Sequence, residues 1–452
     1  MSGTARAACH ELMSSLIFLL HPTTQPQLLL DQLTMAPSRG KTKPTKAPNN
    51  KRQPAKLVTP AVRGSTVTDL PEPGVLEKQM PLELQQLLLN IFRNAFPERL
   101  GLDLPPLLQD VKRHLYNRDF LRAFGRGDYL EAYAVRWSAS RALCYLQIFQ
   151  AIEPYLQDWI EHRGSFDSAE GQIKAAVPVM GESTLQIVCL GGGAGAEIVA
   201  LAGLLNLLDR RRVSNTDDTS SQHNSAGPDE GPQSSAVYPS LNISSIDIAN
   251  WRPILTALHK HITTPPPVSK YASAAVKAAA APPLLDPVRF STHFHQADLL
   301  SPSQSASDPL SCLRCAGLVT MMFTLNELYA ASLSCTQLFL HSLTAALPSG
   351  ALLLVVDSPG SYSTVALGGG GGEKGKRYPM HWLLDLALLR GVGGDSGDSG
   401  VEGERSHGNG EKNARWEKLT SKEAVWFRLP KGLRYPIDLE DMRFQMHLYR
   451  RC

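Results

Sequence analysis

The spacing of hydrophobic residues divides the chain into three parts. Residues 1–74 show no sustained period, and we expect them to be disordered. From residue 75 to about 165, apolar residues recur at helical spacing, which predicts an N-terminal helical subdomain. Its helices are expected to begin at Leu82 and to cover Leu107–Tyr116, Tyr129–Tyr133 and Ser138–Ile160, the last one kinked or split at Pro154.

From residue 180 to 452, apolar runs of strand length alternate with helical patterns, which predicts a mostly parallel sheet covered by helices. Five strands are expected at Leu185–Leu190, Leu241–Ile248, Val288–Phe294, Gly317–Phe323 and Ala351–Asp357, and two late ones around Val425–Leu429 and Arg443–Tyr449. Polar or Gly- and Pro-rich insertions, predicted to be disordered, lie near 212–239, 263–287, 366–377 and 391–413. The expected fold is α/β and Rossmann-like, with a seven-stranded sheet.

The first strand ends in a glycine-rich turn. Gly191, Gly193 and Gly195 follow Leu190 directly, and a helical pattern begins behind them. A strand, a glycine turn and a helix bring backbone amides and a helix N-terminus close to a nucleotide-like ligand. The spacing fits both the dinucleotide pattern G-x-G-x-x-A and the G-x-G-x-G of S-adenosylmethionine-dependent methyltransferases. An ordinary glycine-rich turn is the alternative.

Acidic residues close the next two strands. Asp247 ends the second strand, and Asp298 follows the third. Because the carboxyl ends of parallel strands meet at one edge of a sheet, these acids and the glycines can share a ligand. Asp247 is then placed to accept two ribose hydroxyls, and Asp298 to accept an adenine amino group. Each acid is equally suited to a simple turn.

Charge and cysteine usage bear on compartment and partners. The net charge is only +3, but eight basic residues and no acidic one lie between Asp31 and Asp69. This basic arm is suited to polyanions, to nuclear targeting or to a solvated linker. Seven dispersed cysteines indicate reduced thiols and no secretion, and the lone Cys312-x-x-Cys315 predicts no metal site. Leu12–Leu20 is too short to span a bilayer, so no membrane association is expected.

Several segments together resemble a known family. The run Cys-Leu-Gly-Gly-Gly-Ala-Gly, the acids Asp247 and Asp298, the stretch Leu347–Asp357 and the two late strands resemble class I S-adenosylmethionine methyltransferases. Two further segments, Phe323–Tyr329 and Tyr133–Arg141, are similar to the fungal large-subunit (25S) rRNA uridine-N3 methyltransferases. The resemblance covers about 80–450. It implies an S-adenosyl-L-methionine cofactor and an rRNA or pre-ribosomal substrate, in the nucleus, nucleolus or cytoplasm. We expect a monomer.

The segment after the fourth strand suggests the catalytic group. A uracil imide nitrogen has no free lone pair until its proton leaves, so a carboxylate is suited to the task of general base. Glu327 stands at this position, and Asn326 or Tyr329 would orient the ring. The alternative is structural, because Thr324-x-x-Glu327 also matches a helix capping box.

Arginine and aromatic residues interleave in the helical part. Arg136, Trp137 and Arg141 are suited to stacking on an unpaired base and to holding its phosphates. Tyr362, with His381 and Trp382, is a candidate for stacking on a flipped base. Packing in the core is the alternative for each of these aromatic residues.

Two other functions fit parts of the pattern. A catalytically inactive RNA-binding assembly factor could retain a methyltransferase fold, but the intact Gly191, Gly193, Asp247 and Asp298 count against it. A nicotinamide oxidoreductase could use the same glycine turn. The chain has no Tyr-x-x-x-Lys-like catalytic unit, which counts against that reading.

Overall fold

The computed structural model describes residues 80–101, 103–166, 184–220, 240–268, 271, 273–274, 282–301, 309–360, 364–367, 376–389 and 415–452. The basic arm and most of each predicted insertion lie outside these residues. The strands are β1 (Thr184–Leu190), β2 (Ser240–Asp247), β3 (Phe290–Gln296), β4 (Leu318–Met322), β5 (Leu352–Asp357), β6 (Thr364–Leu367), β7 (Lys376–Pro379), β8 (Trp416–Phe427) and β9 (Met442–Arg451).

Seven of these strands form one sheet in the order β3-β2-β1-β4-β5-β9-β8. The first five pair in parallel, and β9 lies antiparallel between β5 and β8. The seven-stranded, mostly parallel sheet predicted from the sequence is thereby confirmed. The chain reverses its direction of travel across the sheet beside β1, which has β2 on one side and β4 on the other. Such a switch point opens a crevice at the carboxyl ends of the strands.

Helices cover both faces of the sheet. They are α1 (Leu82–Ala95), α2 (Leu104–Tyr116), α3 (Phe120–Ala123), α4 (Gly127–Tyr133), α5 (Ala139–Phe166), α6 (Ala196–Ser220), α7 (Arg252–Thr263), α8 (Leu325–Ala331), α9 (Leu333–Ala346) and α10 (Met380–Leu389). A π-helical turn, Ala134–Ser138, joins α4 to α5. Side chains alternate along each strand, so Ile187 of β1 packs under α1, α5, α6 and α7, whereas Val188 packs under α8, α9 and α10.

The predicted helical subdomain forms a single core with the sheet. Leu88 of α1 and Phe149 of α5 belong to the same buried cluster as Ile187 of β1 and Val199 of α6. Helix α5 continues through Pro154 and is not split there. Pro154 is exposed, while Ile152 and Leu156 around it are buried, so packing on both sides holds the helix together.

Three boundaries differ from the sequence-based expectations. Helix α6 extends to Ser220, so the predicted insertion at 212–239 begins inside a helix. Strands β6 and β7 pair where the insertion near 366–377 was expected. Strand β8 begins at Trp416, earlier than expected, and pairs with β9 through two register shifts. Within the part of the chain that the structure describes, no helix has the length and apolar character needed to cross a membrane.

Candidate active site

The glycine turn after β1 requires residues without side chains. Gly191 and Gly195 have φ values of 77° and 84°, in the left-handed region that favours glycine. A Cβ atom at Gly191 would lie 2.3 Å from Oγ1 of Thr324, and one at Gly193 would lie 2.1 Å from Cδ1 of Trp251. The turn then enters α6, whose first amides face the carboxyl edge of the sheet. This geometry fits a site at which backbone amides approach a ligand closely.

Asp247 lies directly beside this turn. Its Oδ2 accepts a hydrogen bond from the Gly193 amide at 3.2 Å, and its Oδ1 accepts one from the Ala249 amide at 3.1 Å. Burial raises the pKa of Asp247 to about 6, although these backbone bonds act in the opposite direction. A carboxylate has about four lone-pair positions, so each oxygen can still accept a ribose hydroxyl. The structure therefore brings together Gly193 and Asp247, as predicted for a cofactor site.

Two further residues flank this acid. Asp298 is at the same edge, because the neighbouring Ala297 amide donates to the Asp247 carbonyl at 2.9 Å. Its carboxylate is exposed and accepts hydrogen bonds from the Leu300 amide at 2.9 Å and the Ser301 hydroxyl at 2.8 Å, as a turn former does. Ile248, which the sequence analysis missed, is 60% exposed beside Asp247 and offers an apolar surface to a base. The contact of Asp298 with an adenine stays a prediction.

A buried carboxyl group lies under the glycine turn. Oε1 of Glu197 accepts a 2.5 Å hydrogen bond from the Thr320 hydroxyl of β4, and a Cβ at Gly192 would lie 2.4 Å from Oε2. Burial raises the pKa of Glu197 to about 8, so this group is protonated at neutral pH. The sequence analysis missed it, although an acid in the first turn of an apolar helix was a visible signal.

The end of β4 has an unusual backbone. Phe323 has a φ of 61°, which is rare for a bulky residue and is found mainly where the surrounding structure enforces it. Its amide donates to the Val356 carbonyl at 2.7 Å. The next residue, Thr324, donates its hydroxyl to the Leu190 carbonyl at 3.0 Å. These bonds fold the segment after β4 toward the glycine turn.

The capping-box alternative for Glu327 fails in the structure. The Thr324 hydroxyl is engaged by Leu190 and caps no amide of α8. Asp357, at the end of β5, takes that role, because its Oδ2 accepts the Asn326 amide at 2.9 Å. The carboxylate of Glu327 is instead 24% exposed, with Oε2 3.4 Å from Nη1 of Arg118. Burial raises the pKa of Glu327, and the positive charge of Arg118 opposes that shift.

Asp357, the acid that closes the fifth strand, is a second acid at this end of the sheet. It is fully buried, and its Oδ1 accepts the Ser358 amide at 2.7 Å. Burial raises the pKa of Asp357 to about 7; the nearby Glu327 adds to this effect, and the backbone bonds and Arg141 oppose it. An acid at the end of an otherwise apolar strand was the available signal.

The other two predicted catalytic residues have different surroundings. Asn326 is partly exposed next to Glu327. Tyr329 is 3% exposed and belongs to the core under α9 and α10, where its hydroxyl accepts a hydrogen bond from Nε2 of Gln337 at 3.0 Å. The side chain of Tyr329 is thus used inside the core, because it shares the buried face of α8 with Leu325.

The predicted substrate residues also differ in their surroundings. Trp137 lies in the π turn, is 3% exposed, and has its ring centroid 4.9 Å from that of Tyr133. Arg136 pairs with Glu440. Only Arg141 reaches the edge of the site: its Nη1 donates to the Tyr133 hydroxyl at 2.6 Å, and its guanidinium carbon lies 5.2 Å from the ring centroid of Phe323.

Three stacking candidates were also predicted. Tyr362 lies outside the residues that the structure describes. His381 packs with its ring centroid 5.3 Å from that of His447, and Trp382 is 58% exposed. Over the described residues, no three His, Cys, Asp or Glu side chains come together in a way that could hold a metal ion.

Comparisons with known proteins agree with this geometry. A family model described as "Putative SAM-dependent methyltransferase" matches residues 92–450. The 25S rRNA (uridine(2843)-N(3))-methyltransferase of Saccharomyces cerevisiae is 29% identical over 342 residues, which cover 76% of each chain.

Solved structures of methyltransferases also match. A SAM-dependent methyltransferase from Methanosarcina mazei is 11% identical with a TM-score of 0.25, covering 59% of this chain and 92% of that one. The antibiotic-resistance methyltransferase Kmr is 13% identical with a TM-score of 0.23, covering 59% and 86%. Such scores carry no argument, and the class I fold follows from the strand order. Since the family model spans the last turn of α1 to β9 and the glycine turn and Asp247 fit its cofactor, the chain belongs to this family of S-adenosylmethionine-dependent methyltransferases.

Proposed function

We propose that this methyltransferase methylates N3 of a uridine in large-subunit ribosomal RNA. The observation that carries the proposal is the position of the Glu327 carboxylate. It lies partly exposed after β4 and takes no part in a capping box with Thr324. An imide nitrogen needs a base, and a carboxylate in this position supplies one. The likeness to the yeast uridine-N3 enzyme supports the same substrate. No feature of the site favours the inactive assembly factor.

Each residue of the site has a distinct task in this reaction. The Gly191–Gly195 turn and Asp247 hold the cofactor, which supplies an electrophilic methyl group when bound. Glu327 would take the N3 proton, which would leave a lone pair on the nitrogen to receive the methyl group. Asn326 orients the uracil ring. We assign Tyr329 a packing role because its hydroxyl is bonded to Gln337.

Substrate contacts come from the helical layer and the segment after β5. Of the predicted substrate residues, Arg141 reaches the edge of the site beside Phe323, and we propose that it meets the RNA together with Tyr362. Arg136 and Trp137 support that surface from behind, since Trp137 is buried and Arg136 is paired with Glu440. The basic arm would add affinity for RNA that is independent of sequence. We further propose a monomer that acts on rRNA or a pre-ribosomal particle in the nucleus, nucleolus or cytoplasm.

Nucleoside mass spectrometry of large-subunit rRNA from a deletion strain tests the proposal. We expect 3-methyluridine to fall by one residue per rRNA and to return when the wild-type gene is restored. Genes carrying Glu327→Gln or Asp247→Ala should fail to restore it, although both proteins accumulate. The proposal is refuted if the level of 3-methyluridine is the same with and without the gene.

A further inference from the structure

Arg118 is held in an unusual backbone conformation. It lies in the turn between α2 and α3 with a φ of 53°, in the left-handed region. Two hydrogen bonds fix this turn: the Arg118 amide donates to the Leu115 carbonyl at 3.0 Å, and the Asp119 amide donates to the His114 carbonyl at 2.9 Å. These two bonds are those of a Schellman motif, the common helix C-terminus in which one residue adopts the left-handed conformation. The side chain of Arg118 extends from this turn to Glu327.

The contact between the two side chains is loose. Only Nη1 of Arg118 approaches Oε2 of Glu327, at 3.4 Å, whereas arginine and a carboxylate commonly form two parallel bonds. The side chain of Arg118 is 34% exposed and that of Glu327 is 24% exposed, so water reaches both groups. An ion pair with this geometry is weak and can be exchanged for another partner.

Among the described residues, two charged groups interact with Glu327 and a third acts on one of these two. Arg118 faces Glu327 from the turn after α2, and Asp357 of β5 lies close enough for the two carboxyl groups to interact. Arg141 of α5 acts on Asp357. Arg141 already donates to Tyr133, and Asp357 holds the amides of Asn326 and Ser358. Arg118 is therefore the one member of this group whose partner can change without breaking the fold.

The same turn carries exposed apolar and basic side chains. Leu121 is 87% exposed and Tyr116 is 47% exposed, and the side chain of Arg122 is 75% exposed. Leu121 and Arg122 lie on α3 and Tyr116 ends α2, so all three flank Arg118. An unpaired RNA strand offers bases to such apolar surfaces and phosphates to the guanidinium groups. A phosphate accepts two bonds from arginine, which makes it a better partner than the single contact to Glu327.

We infer that Arg118 is a positioning residue that pairs with Glu327 in the free enzyme and with an RNA phosphate in the complex, so that the carboxylate becomes a stronger base when substrate binds. This inference rests on the proposed function. The sign follows from electrostatics: a nearby cation favours the ionised carboxylate, so loss of that cation raises its pKa. Pairing with Arg118 thus favours the ionised form of Glu327 in the free enzyme, and docking of the RNA increases the affinity of the carboxylate for the N3 proton.

Single-turnover kinetics against pH tests this exchange. The enzyme is saturated with S-adenosylmethionine and mixed with unmodified large-subunit rRNA transcribed in vitro. The slope at low RNA concentration reports the free enzyme, and the rate at saturating RNA reports the complex. Arg118→Met should move the acid limb of the first profile to higher pH and leave the acid limb of the second in place. Arg118→Lys should restore the first profile, and Glu327→Gln should remove both limbs.

Two results would overturn the inference. If both profiles shift in Arg118→Met, Arg118 stays with Glu327 in the complex; if neither shifts, the two groups are not coupled.

The loss of one phosphate contact adds a second readout. Arg118→Met should weaken RNA binding and reduce the slope of log affinity against log salt by about one. An unchanged slope contradicts the exchange.

A measurement on the free protein separates this inference from the proposed function. If the wild-type enzyme methylates no uridine in the transcript, the proposed function fails. The pKa of Glu327 can still be read from the ¹³C signal of its carboxyl carbon, identified as the signal missing in Glu327→Gln. It should rise in Arg118→Met and stay near the wild-type value in Arg118→Lys. An equal pKa in all three proteins overturns the pairing itself.

Discussion

Replacing Asp247 by asparagine tests how the cofactor is held. In the wild type, one oxygen accepts from the Gly193 amide and the other from the Ala249 amide, and each retains room for a ribose hydroxyl. Asparagine has a single acceptor oxygen, so one amide and one hydroxyl lose their partner. A hydrogen bond to a charged group contributes about 1.5–3 kcal/mol, which predicts a Kd for S-adenosylmethionine that rises about 10- to 150-fold.

The pH dependence of binding sharpens this prediction. Because burial raises the pKa of Asp247 to about 6 in the free protein, the cofactor meets an ionised carboxylate above that pH and a protonated one below it. The wild-type Kd should therefore rise as the pH falls below about 6, approaching tenfold per pH unit, while Asp247→Asn should remain flat in that range.

Isothermal titration calorimetry at pH 5, 6, 7 and 8 measures both effects. Asp209→Asn is a matched control, because this surface carboxylate pairs with Arg289 at 2.7 Å and takes no part in the glycine turn. It should bind the cofactor as the wild type does. A wild-type affinity that does not change across this range, or an Asp247→Asn protein that binds as tightly, would refute the assignment of Asp247.

Four further substitutions separate catalysis, packing and the support of the turn. Glu327→Gln should slow methyl transfer by about 10²- to 10⁴-fold and leave the melting temperature and the cofactor affinity unchanged. Tyr329→Phe should lower the free energy of unfolding by about 1 kcal/mol and leave the rate unchanged. The reverse result would exchange the roles of the two residues. The pKa of Glu197 is about 8 in the folded protein and lower in the unfolded chain, so the wild type loses free energy of unfolding as the pH rises between about 4.5 and 8. Glutamine does not titrate. The stability of Glu197→Gln relative to the wild type should therefore increase by about 1 kcal/mol per pH unit over this range. Thermal melts across that range would contradict this if the difference stayed constant. Gly193→Ala should abolish cofactor binding in calorimetry, since its Cβ would lie 2.1 Å from the Trp251 ring, and an unaltered Kd would show that the turn can open.

The sequence predicted those parts of the fold that depend on local patterns. Runs of apolar residues located the strands, and glycines at a strand end located the turn, because positive φ and close backbone approach leave few other choices. Asp247 followed from its place at the end of β2. The boundary of β8 did not follow, since pairing with β9 extends this strand beyond its own signal. Nor did that of α6, because the apolar pattern ends before the helix does.

The catalytic end was harder to predict because its contacts join distant segments. Glu327 and Arg118 are 209 positions apart, and Arg136 and Glu440 are 304 apart. The Thr324 motif matched a capping box, but the Leu190 carbonyl takes its hydroxyl and Asp357 from another strand takes over the cap. A short sequence motif does not show which of several possible partners takes each hydrogen bond.

The burial of Tyr329 follows from helical periodicity. Leu325 and Tyr329 are four residues apart on α8, so they share a face, while Glu327 lies on another side of the helix. With Leu325 fully buried, the same face carries Tyr329 into the core, and Glu327 is left near solvent. Helical periodicity alone therefore separates the candidate base from the packing residue.

Identification of the methylated nucleoside tests the central claim most directly. Purified enzyme is incubated with S-adenosylmethionine carrying a labelled methyl group and with unmodified large-subunit rRNA transcribed in vitro, and the RNA is digested and separated into nucleosides. We predict label in 3-methyluridine alone, close to one per transcript, and none when Glu327→Gln replaces the wild type. Label in another nucleoside, or label undiminished in the Glu327→Gln reaction, would contradict the assignment of Glu327 as the base for uridine N3.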